Sequence, residues 1–491
     1  MPLGDVVWFG LAVFGLLLLV GFGEGLRRVG AASTTSRRVV HGGVGGFVAA
    51  TPYLFTGPVP IHFLAACFVV GNAVARYRQW WPAIHAGRPE SVGTVAFPLA
   101  VFPALAIAWP TTGSGHPWVI TAAFLVLAVA DPVAAWMGER FGRARSVGGA
   151  KKSWVGSAAF AGAAWTISFV TVVATGAGSV AEAAGVSLVL AITTAMTEAL
   201  GGKGWDNLFI VVVAVVVLVA WANGVAGWLV LLRATGAGLG FAAGTWWVRW
   251  LSPSGSLAGG LLAASLIALG GAAWAVPAIV FFVLSSLWSR IGNSQKGRAA
   301  ARSAKGAVRD AGQVYANGAI GWAVLMVHAV GWEAAPLYWG FLGAFAAAAA
   351  DTWATELGTL ARGQPFLLTT GRRVPAGTSG AVSGRGTVAS AAGAATVALS
   401  AWAVAAPAFI TIGPFAGLAL VVGAGVSGAL IDSLLGATVQ AQYVRPTGER
   451  VEQPSGPLVR GVQWMTNDRV NILCTFCGAV IAGVGARLLG A

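Results

Sequence analysis

The sequence predicts an all-α polytopic membrane protein with about 14–16 transmembrane helices in two tandem, related domains. Of its 491 residues, 57% are hydrophobic and only 9% are charged, whereas roughly a quarter of the residues in a soluble protein are charged. Apolar runs of about 17–25 residues, the length that crosses a bilayer, recur along the whole chain. The clearest runs cover residues 5–25, 94–110, 118–138, 153–175, 207–223, 273–289, 336–358, 386–406 and 469–489.

The basic residues lie in alternate loops between these apolar runs. The formal net charge is +14, and in a soluble protein such a charge would suggest nucleic-acid binding. In a chain of membrane-spanning helices, however, the loops with an excess of lysine and arginine face the cytoplasm. We therefore expect no nucleic-acid partner, and we expect the long polar segments 139–152, 290–312, 359–385 and 438–468 to lie on the cytoplasmic face.

One short motif occurs twice, and its two copies lie 220 residues apart. In each copy an acid precedes a glycine by seven positions, with an alanine in fourth place. D-P-V-A-A-W-M-G begins at Asp131, and D-T-W-A-T-E-L-G begins at Asp351. A basic or glycine-rich segment follows each copy. Because the spacing is almost half of the chain, we predict two related membrane domains, residues 1–223 and residues 224–491.

The first copy places an acid inside an apolar run, where a function is the default expectation and a structural pairing with an arginine is the alternative. Lysines and serines follow at the start of the next run, and helix N-termini present N–H groups and partial positive charge to phosphates. We predict that Asp131 and Lys152 are catalytic. The predicted nucleotide or phosphate ligands are Arg37, Arg38, His41, Lys151, Ser153, Gly156 and Ser157, and the predicted metal ligands are Asp131, Glu198, Asp206 and Asn207.

Taken in this order, the motifs of residues 1–223 resemble the CTP-dependent lipid-alcohol kinases, the phytol kinase and dolichol kinase group. The resemblance rests on an Arg-Lys-x-x-His-like start at Arg37, Arg38 and His41, D-x-x-A-x-x-x-G-x-x-F-G from Asp131 to Gly142, K-S-x-x-G-S from Lys152 to Ser157, and the pair Asp206 and Asn207. The chain departs from the pattern at Pro132 and at Val155, where the family commonly has glutamate. Any acidic role of that position would fall to Glu198 or Asp206.

A second set of polar residues surrounds the second copy. Arg309, Gln313 and Asn317 recur at four-residue spacing, which places them on one helix face. Acids and amides around a glycine-rich loop suit a magnesium-bound nucleotide. We predict that Asp351 and Glu356 are catalytic. The predicted nucleotide or phosphate ligands are Arg309, Gln313, Asn317, Gly377, Thr378, Ser379, Gly380 and Ser383, and the predicted metal ligands are Asp351, Asp432, Asn467 and Asp468.

Residues from about 225 to 491 resemble the membrane family that includes phytyl-phosphate kinase. The resemblance rests on D-T-W-A-T-E-L-G from Asp351, G-T-S-G-A-V-S from Gly377, D-S-L-L-G-A from Asp432 and N-D-x-x-N from Asn467. Gly384 and Arg385 depart from the pattern, because an apolar residue is usual there. The role of Arg385 is left open.

Together the two resemblances imply a bifunctional kinase. It would convert prenols of the phytol or geranylgeraniol type to monophosphates and then to diphosphates, with CTP or another nucleoside triphosphate as donor and Mg²⁺ as cofactor. The expected partners are the isoprenoid alcohol, the isoprenyl phosphate, the nucleotide and membrane lipid, and a homodimer is allowed. Two alternatives remain open. One is a CTP-dependent nucleotidyl transferase that makes a CDP-lipid, and the other is a transporter built of repeated halves.

Overall fold

Helices dominate the computed structural model and confirm the all-α polytopic class predicted from the sequence. The structure describes residues 2–78, 80, 91–109, 115–143, 145–147, 150–291, 308–331, 335–360, 363–448 and 450–491. The chain divides into two units, Met1–Gly236 (unit 1) and Ala237–Ala491 (unit 2). Each unit has its own polar site.

Unit 1 begins with three long helices and continues with shorter, interrupted ones. The long helices are α1 (Leu3–Arg28), α2 (Ser33–Leu54) and α3 (Val59–Tyr77). The next segments are α4 (Gly93–Leu99), α5 (Val101–Ala108), α6 (Trp118–Leu125), a π-helical turn (Val126–Ala130) and α7 (Asp131–Phe141). The following helices are α8 (Trp154–Ala174), α9 (Val180–Leu200), α10 (Asp206–Ala222) and α11 (Trp228–Trp247), and α11 contains the division between the units.

Unit 2 continues with seven helices in its described part. They are α12 (Pro253–Ser265), which passes through a π-helical turn (Leu266–Gly270) into α13 (Gly271–Trp288), then α14 (Ala311–Ala329), α15 (Ala335–Gly358), α16 (Gly384–Ile412), α17 (Pro414–Thr438) and α18 (Asn467–Leu488). The start of α14 is fixed by a capping box, in which Asp310 and Gln313 bond each other's backbone N–H. Proline in the first turn begins α12 and α17.

Nine helical segments of the described chain are long and apolar enough to cross a membrane. Helices α2, α11, α14 and α15 reach similar lengths but are less apolar. Two shorter apolar segments, Gly93–Ala108 and Asp206–Ala222, add to these. In the described residues, nine of the about 14–16 predicted spans therefore have both the length and the hydropathy of a membrane-crossing helix.

Short strands occur in the connections between helices. In unit 1, β1 (Arg145–Val147) pairs with β2 (Ala150–Lys152) in an antiparallel hairpin. In unit 2, β3 (Phe366–Leu367) pairs with β4 (Ala381–Val382), and β5 (Gln442–Val444) lies between β6 (Arg450–Val451) and β7 (Leu458–Arg460). These small sheets precede α8, α16 and α18 and therefore lie next to the helix ends that carry the polar motifs.

A close helix crossing explains the glycine of the first motif. A Cβ added to Gly156 on α8 would lie 2.9 Å from the carbonyl oxygen of Ala134 and 3.5 Å from Cα of Gly138 on α7. The two backbones therefore approach as only small residues allow. Because the Gly156 N–H also donates to Ser153 Oγ, the structure gives this glycine a packing and capping role.

The second motif makes the same crossing in unit 2. A Cβ added to Gly386 on α16 would lie 3.3 Å from the carbonyl oxygen of Ala354 and 3.8 Å from Cα of Gly358 on α15. Helix α15 is the centre of this unit, and its alanine-rich middle packs against α16, α17 and α18. The crossings hold the acid-bearing helix of each unit against the helix that follows the basic or glycine-rich segment.

Candidate active sites

Lys152 lies at the centre of an acidic cluster in unit 1. Its Nζ is 2.5 Å from Glu198 Oε1 at the end of α9 and 3.5 Å from Asp206 Oδ2 at the start of α10. Burial lowers the pKa of the ammonium. The carboxylates of Glu198, then Asp206 and Asp131, raise it more strongly, so that the pKa of Lys152 lies above its usual value. The structure therefore brings together four predicted residues from four separate elements.

Asp131 begins α7 directly after the π-helical turn. The helix runs without a break from Trp118 to Phe141, so Pro132 lies inside it, and its missing N–H comes directly after the π-helical turn, where the regular helical hydrogen bonding is already interrupted. This position explains how the helix accommodates Pro132, where the chain departs from the pattern of the lipid-alcohol kinases. His41 Nε2 lies 4.0 Å from Asp131 Oδ2 and 3.1 Å from the carbonyl oxygen of Leu127 within the π turn. A carbonyl oxygen only accepts hydrogen bonds, so Nε2 carries the proton in this contact.

An apolar cavity of about 120 Å³ opens beside His41 in unit 1. Its wall comes from α1 to α5 and the start of α10, and most of it is apolar, including Leu16, Val48, Ile61 and Phe97. The polar residues in the wall are Arg37, His41, Asn72, Thr94 and Asn207. Asn207 directly follows Asp206 of the acidic cluster, and His41 lies beside Asp131. Val48 lies about two turns further along α2 than His41. The cavity thus has a polar end beside Asp131 and an apolar interior.

The other predicted residues of unit 1 have different surroundings. Arg38 forms an ion pair of 2.5 Å with Glu139. Ser153 caps α8 by accepting from the N–H of Gly156 at 3.0 Å, and the half-buried Ser157 lies one turn further. Lys151 pairs with Ser146 in the hairpin, but its side chain lies outside the described part of the chain. Asn207 Nδ2 donates to the carbonyl oxygen of Gly93 at 3.0 Å, which ties α10 to α4.

Unit 2 has a polar cavity of about 370 Å³. Nearly all residues predicted for the second site line it: Arg309, Gln313, Asn317, Asp351, Glu356, Gly377, Thr378, Ser379, Gly380, Ser383, Asp432 and Asn467. Asp468 belongs to the same helix start as Asn467, but it is not one of the lining residues. The cavity therefore unites motifs that are more than a hundred residues apart in the sequence.

A hydrogen-bonded chain joins the glycine-rich loop to α18. Ser379 Oγ donates to Gln440 Oε1 at 2.7 Å, and Gln440 Nε2 donates to Glu452 Oε1 at 2.9 Å and to Asn467 Oδ1 at 3.4 Å. Gly380 follows with a φ of 79°, and a Cβ there would collide with the backbone of Ala437. Both facts require glycine at this position. The loop is thus held in one conformation over the start of α16.

Helix α16 presents its N-terminus to this cavity. Ser383 caps the helix by accepting from the N–H of Gly386 at 3.1 Å, and Gly386 and Thr387 line the wall. A single cap accounts for one of the four N–H groups that lack a partner within the helix. Backbone N–H groups at a helix start suit an anionic oxygen. The arrangement can therefore hold phosphate.

The side chains of Arg309 and Glu356 are linked by hydrogen bonds to Ser289. Arg309 donates to Ser289 Oγ at 3.3 Å, and Ser289 donates to Glu356 Oε1 at 2.7 Å. Burial lowers the pKa of Arg309, and the charge of Glu356 opposes that effect. A guanidinium remains protonated near neutral pH in either case. The wall of the cavity thus contains a fixed positive charge on the half-buried Arg309.

Each unit contains a buried carboxylate oxygen that makes no hydrogen bond within the described structure. These atoms are Glu198 Oε2 in unit 1 and Asp432 Oδ2 in unit 2. Asp432 interacts electrostatically with Asp351 and Glu452. The described residues contain no group of three or more His, Cys, Asp or Glu side chains placed to hold a metal by themselves. The donor sets fit Mg²⁺, which commonly takes one or two carboxylates together with substrate phosphates.

The sequence interpretation missed several residues of these cavities. Ser289, Gln440 and Glu452 line the polar cavity, and Asn72 and Thr94 line the apolar one. Gln440 follows the D-S-L-L-G-A motif by three positions, a proximity that could have identified it. Glu452 lies in a strand connection with no motif of its own, so that only its place in the fold identifies it.

The fold and the two polar sites define a polytopic integral membrane protein with candidate active sites at helix ends. The chain belongs to the family described as "Integral membrane protein DUF92", whose sequence model matches residues 236–479. It is 30% identical to Protein PGR of Arabidopsis thaliana over 266 residues, which cover 48% of this chain and 89% of that protein.

Two further relatives match about half of the chain. A phytol kinase of Synechocystis is 30% identical over 236 residues, which cover 45% of this chain and 94% of the phytol kinase. An uncharacterised membrane protein of Methanocaldococcus jannaschii is 28% identical over 235 residues, which cover 48% of this chain and 84% of that protein. No solved structure matches the chain.

Proposed function

We propose that the protein is a bifunctional membrane kinase. Unit 1 would phosphorylate an isoprenoid alcohol, and unit 2 would phosphorylate the resulting isoprenyl monophosphate, each with CTP or another nucleoside triphosphate. The observation that carries the proposal is the apolar cavity of unit 1, whose polar end at Arg37 and His41 lies beside Asp131. A lipid alcohol has the same division into an apolar chain and one polar end. The similarity to a phytol kinase supports this substrate class.

In unit 1, Asp131 accepts the proton of the lipid hydroxyl as that oxygen attacks the terminal phosphoryl group. His41 donates to Leu127, which fixes its ring at the polar end of the cavity. Lys152 supplies positive charge for the transferred group and is positioned by Glu198 and Asp206. Glu198 and Asp206 would hold Mg²⁺, which would supply charge neutralisation for the nucleotide phosphates.

In unit 2, the acceptor is already an anion near neutral pH, and so the reaction needs no strong base. Positioning and charge compensation account for most of the catalysis in phosphoryl transfer. The loop at Gly377–Ser383 and the start of α16 hold donor phosphates, and Asp351 and Asp432 provide the carboxylates for Mg²⁺. Both sites would open on the cytoplasmic face, where nucleotides are available.

The test is a product analysis of the full-length chain in lipid nanodiscs. The protein is incubated with Mg²⁺, a panel of prenols, and CTP labelled in separate reactions on the γ-phosphate and on the base. Formation of prenyl monophosphate and then diphosphate with γ-label only is the expected result. A lipid that carries the base label, with release of pyrophosphate, would establish a nucleotidyl transferase instead. Absence of any labelled lipid, together with solute uptake into proteoliposomes, would favour a transporter.

A further inference from the structure

Unit 2 contains a small apolar cavity beside its polar one. The cavity has a volume of about 60 Å³, and its wall includes Phe241, Leu262, Ile279 and Phe282. The polar residues of this wall are Arg309, Gln313 and Asn317, and the same three line the polar cavity. The two cavities therefore lie side by side and share this part of their walls at the start of α14.

Arg309 is held firmly at this junction. Its carbonyl oxygen accepts from the N–H of Ser252 at 3.0 Å, and its guanidinium donates to Ser289 Oγ at 3.3 Å. Asn317 Nδ2 donates to the main-chain carbonyl oxygen of Gln313 at 2.9 Å, and Gln313 Oε1 accepts from the N–H of Asp310 at 3.1 Å, so that each side-chain amide is held in place. A buried charge is costly unless it is compensated. An incoming anion at this point would therefore meet a cation that is already half-buried and positioned by hydrogen bonds.

We infer that this junction binds the phosphate of the lipid acceptor, with the first part of its apolar chain in the adjoining cavity. The inference rests on the proposed function of unit 2 and divides its polar cavity into two sides. Arg309 and Gln313 take the acceptor phosphate, while the loop at Gly377–Ser383 takes the nucleotide.

Two chemical features distinguish the acceptor from competing ligands. A nucleotide has no apolar chain to place in the smaller cavity, and inorganic phosphate gains nothing from it. A lipid alcohol would fill the cavity but offers no negative charge to Arg309, so that it would lack the charge-assisted contact. The site therefore selects an amphiphile whose phosphate ends an apolar chain.

The experiment measures binding to the full-length protein in nanodiscs without nucleotide or Mg²⁺. The probes are radiolabelled farnesyl monophosphate, farnesol and inorganic phosphate, and CTP binding is measured separately. Arg309→Met should weaken farnesyl monophosphate about 10- to 100-fold, the range of a lost charge-assisted contact. Leu262→Trp, which fills the apolar cavity, should weaken it as well and leave CTP binding unchanged.

Matched controls change the same residue types outside both cavities. Arg290→Met removes a guanidinium that donates to the carbonyl oxygens of Val248 and Arg249, and Leu399→Trp enlarges an exposed side chain on α16. Both controls should bind farnesyl monophosphate like the wild type. Arg309→Lys retains a charge and should recover part of the affinity, which separates loss of the cation from loss of folding.

Two outcomes would overturn the inference. Weaker CTP binding with unchanged farnesyl monophosphate binding in Arg309→Met would place Arg309 on the nucleotide side. Unchanged binding in both Arg309→Met and Leu262→Trp would show that the acceptor binds elsewhere. The test measures binding and not turnover, so that its outcome does not depend on kinase activity. A protein that is an active kinase but fails the binding test would keep the proposed function and contradict only this inference.

Discussion

The ammonium group of Lys152 lies 2.5 Å from Oε1 of Glu198 and joins the β1–β2 hairpin to the end of α9. With Asp206 and Asp131 nearby, three carboxylates surround one cation. This arrangement suits the binding of a further cation. Until one binds, the ammonium of Lys152 compensates the buried carboxylate of Glu198 on α9.

Removal of the lysine should impair the first reaction specifically. We expect Lys152→Met to lower prenol phosphorylation about 10- to 100-fold, because a charge-assisted contact contributes roughly 1.5–3 kcal/mol. Conversion of added prenyl monophosphate to diphosphate should be unaffected. Arg140→Met serves as the control, since Arg140 is an exposed cation of the same region. Equal losses in the two variants would show that only the general basicity of the region matters.

The raised pKa of Lys152 predicts how stability depends on pH. A raised pKa adds stability that is fully present below the ordinary lysine value of 10.5 and is lost as the pH rises through the higher folded value. The difference in unfolding temperature between wild type and Lys152→Met should therefore be constant from about pH 6 to pH 9. Fluorescence of the 22 tryptophans provides the measurement. A difference that vanishes within this window would show that burial outweighs the carboxylates.

The two acids of the repeated motif should act in separate steps. Asp131→Asn should lower alcohol phosphorylation by about 10²-fold or more, the usual contribution of a general base, while added prenyl monophosphate still yields diphosphate. Asp351→Asn should leave the first step intact and accumulate monophosphate. Glu182→Gln, an acid of the α9 capping box, should change neither step. Loss of both steps from either aspartate variant, in folded protein, would indicate one shared site.

The unpartnered oxygen of Asp432 predicts a role in metal binding. Asp432→Asn should raise the Mg²⁺ concentration for half-maximal activity of the second step by about tenfold or more. Asp468→Asn should have a smaller effect, because Asp468 is not a lining residue of the polar cavity. A Mg²⁺ titration of monophosphate conversion distinguishes the two. A larger shift in Asp468→Asn would assign the main metal role to Asp468 and not to Asp432.

The helix crossing at Gly156 predicts a local effect on stability. Gly156→Ala places a Cβ 2.9 Å from the carbonyl oxygen of Ala134, and such overpacking typically costs about 1–3 kcal/mol. Gly162→Ala on the same helix meets nothing within 4 Å and should not destabilise the protein. Thermal unfolding in detergent compares the two. If Gly162→Ala lowered the unfolding temperature as much, the crossing would not be the cause.

The sequence predicts the membrane class and the helices, because the length of an apolar run is a local property. It also predicts most of the polar cavity in unit 2, because each motif that lines this cavity is a short, local pattern. The motifs from Asp351, Gly377 and Asp432 indeed line one cavity. The contacts between side chains within each site, in contrast, join residues that are far apart in the sequence. Lys152 and Glu198 lie 46 positions apart, and nothing in the spacing indicates that a predicted catalytic lysine is held by two predicted metal ligands.

The apolar cavity of unit 1 was equally inaccessible to sequence analysis. Leu16, Val48 and Ile61 belong to three apolar helices, and such residues look alike whether they face lipid, a neighbouring helix or a cavity. Only the packing of α1, α2 and α3 distinguishes these cases. Arg38 illustrates the same limit, because its neighbour Arg37 lines the cavity whereas Arg38 pairs with Glu139.

The π-helical turn at Val126–Ala130 has a consequence for the spacing of the chain. A π turn amounts to one extra residue within an α-helix, and here it precedes Asp131 and provides the Leu127 carbonyl that His41 contacts. Deletion of one residue would restore a regular helix and rotate Asp131 by about 100° relative to α6. Single-residue insertions or deletions in this turn would therefore inactivate the first site, although every residue of D-P-V-A-A-W-M-G remained in place.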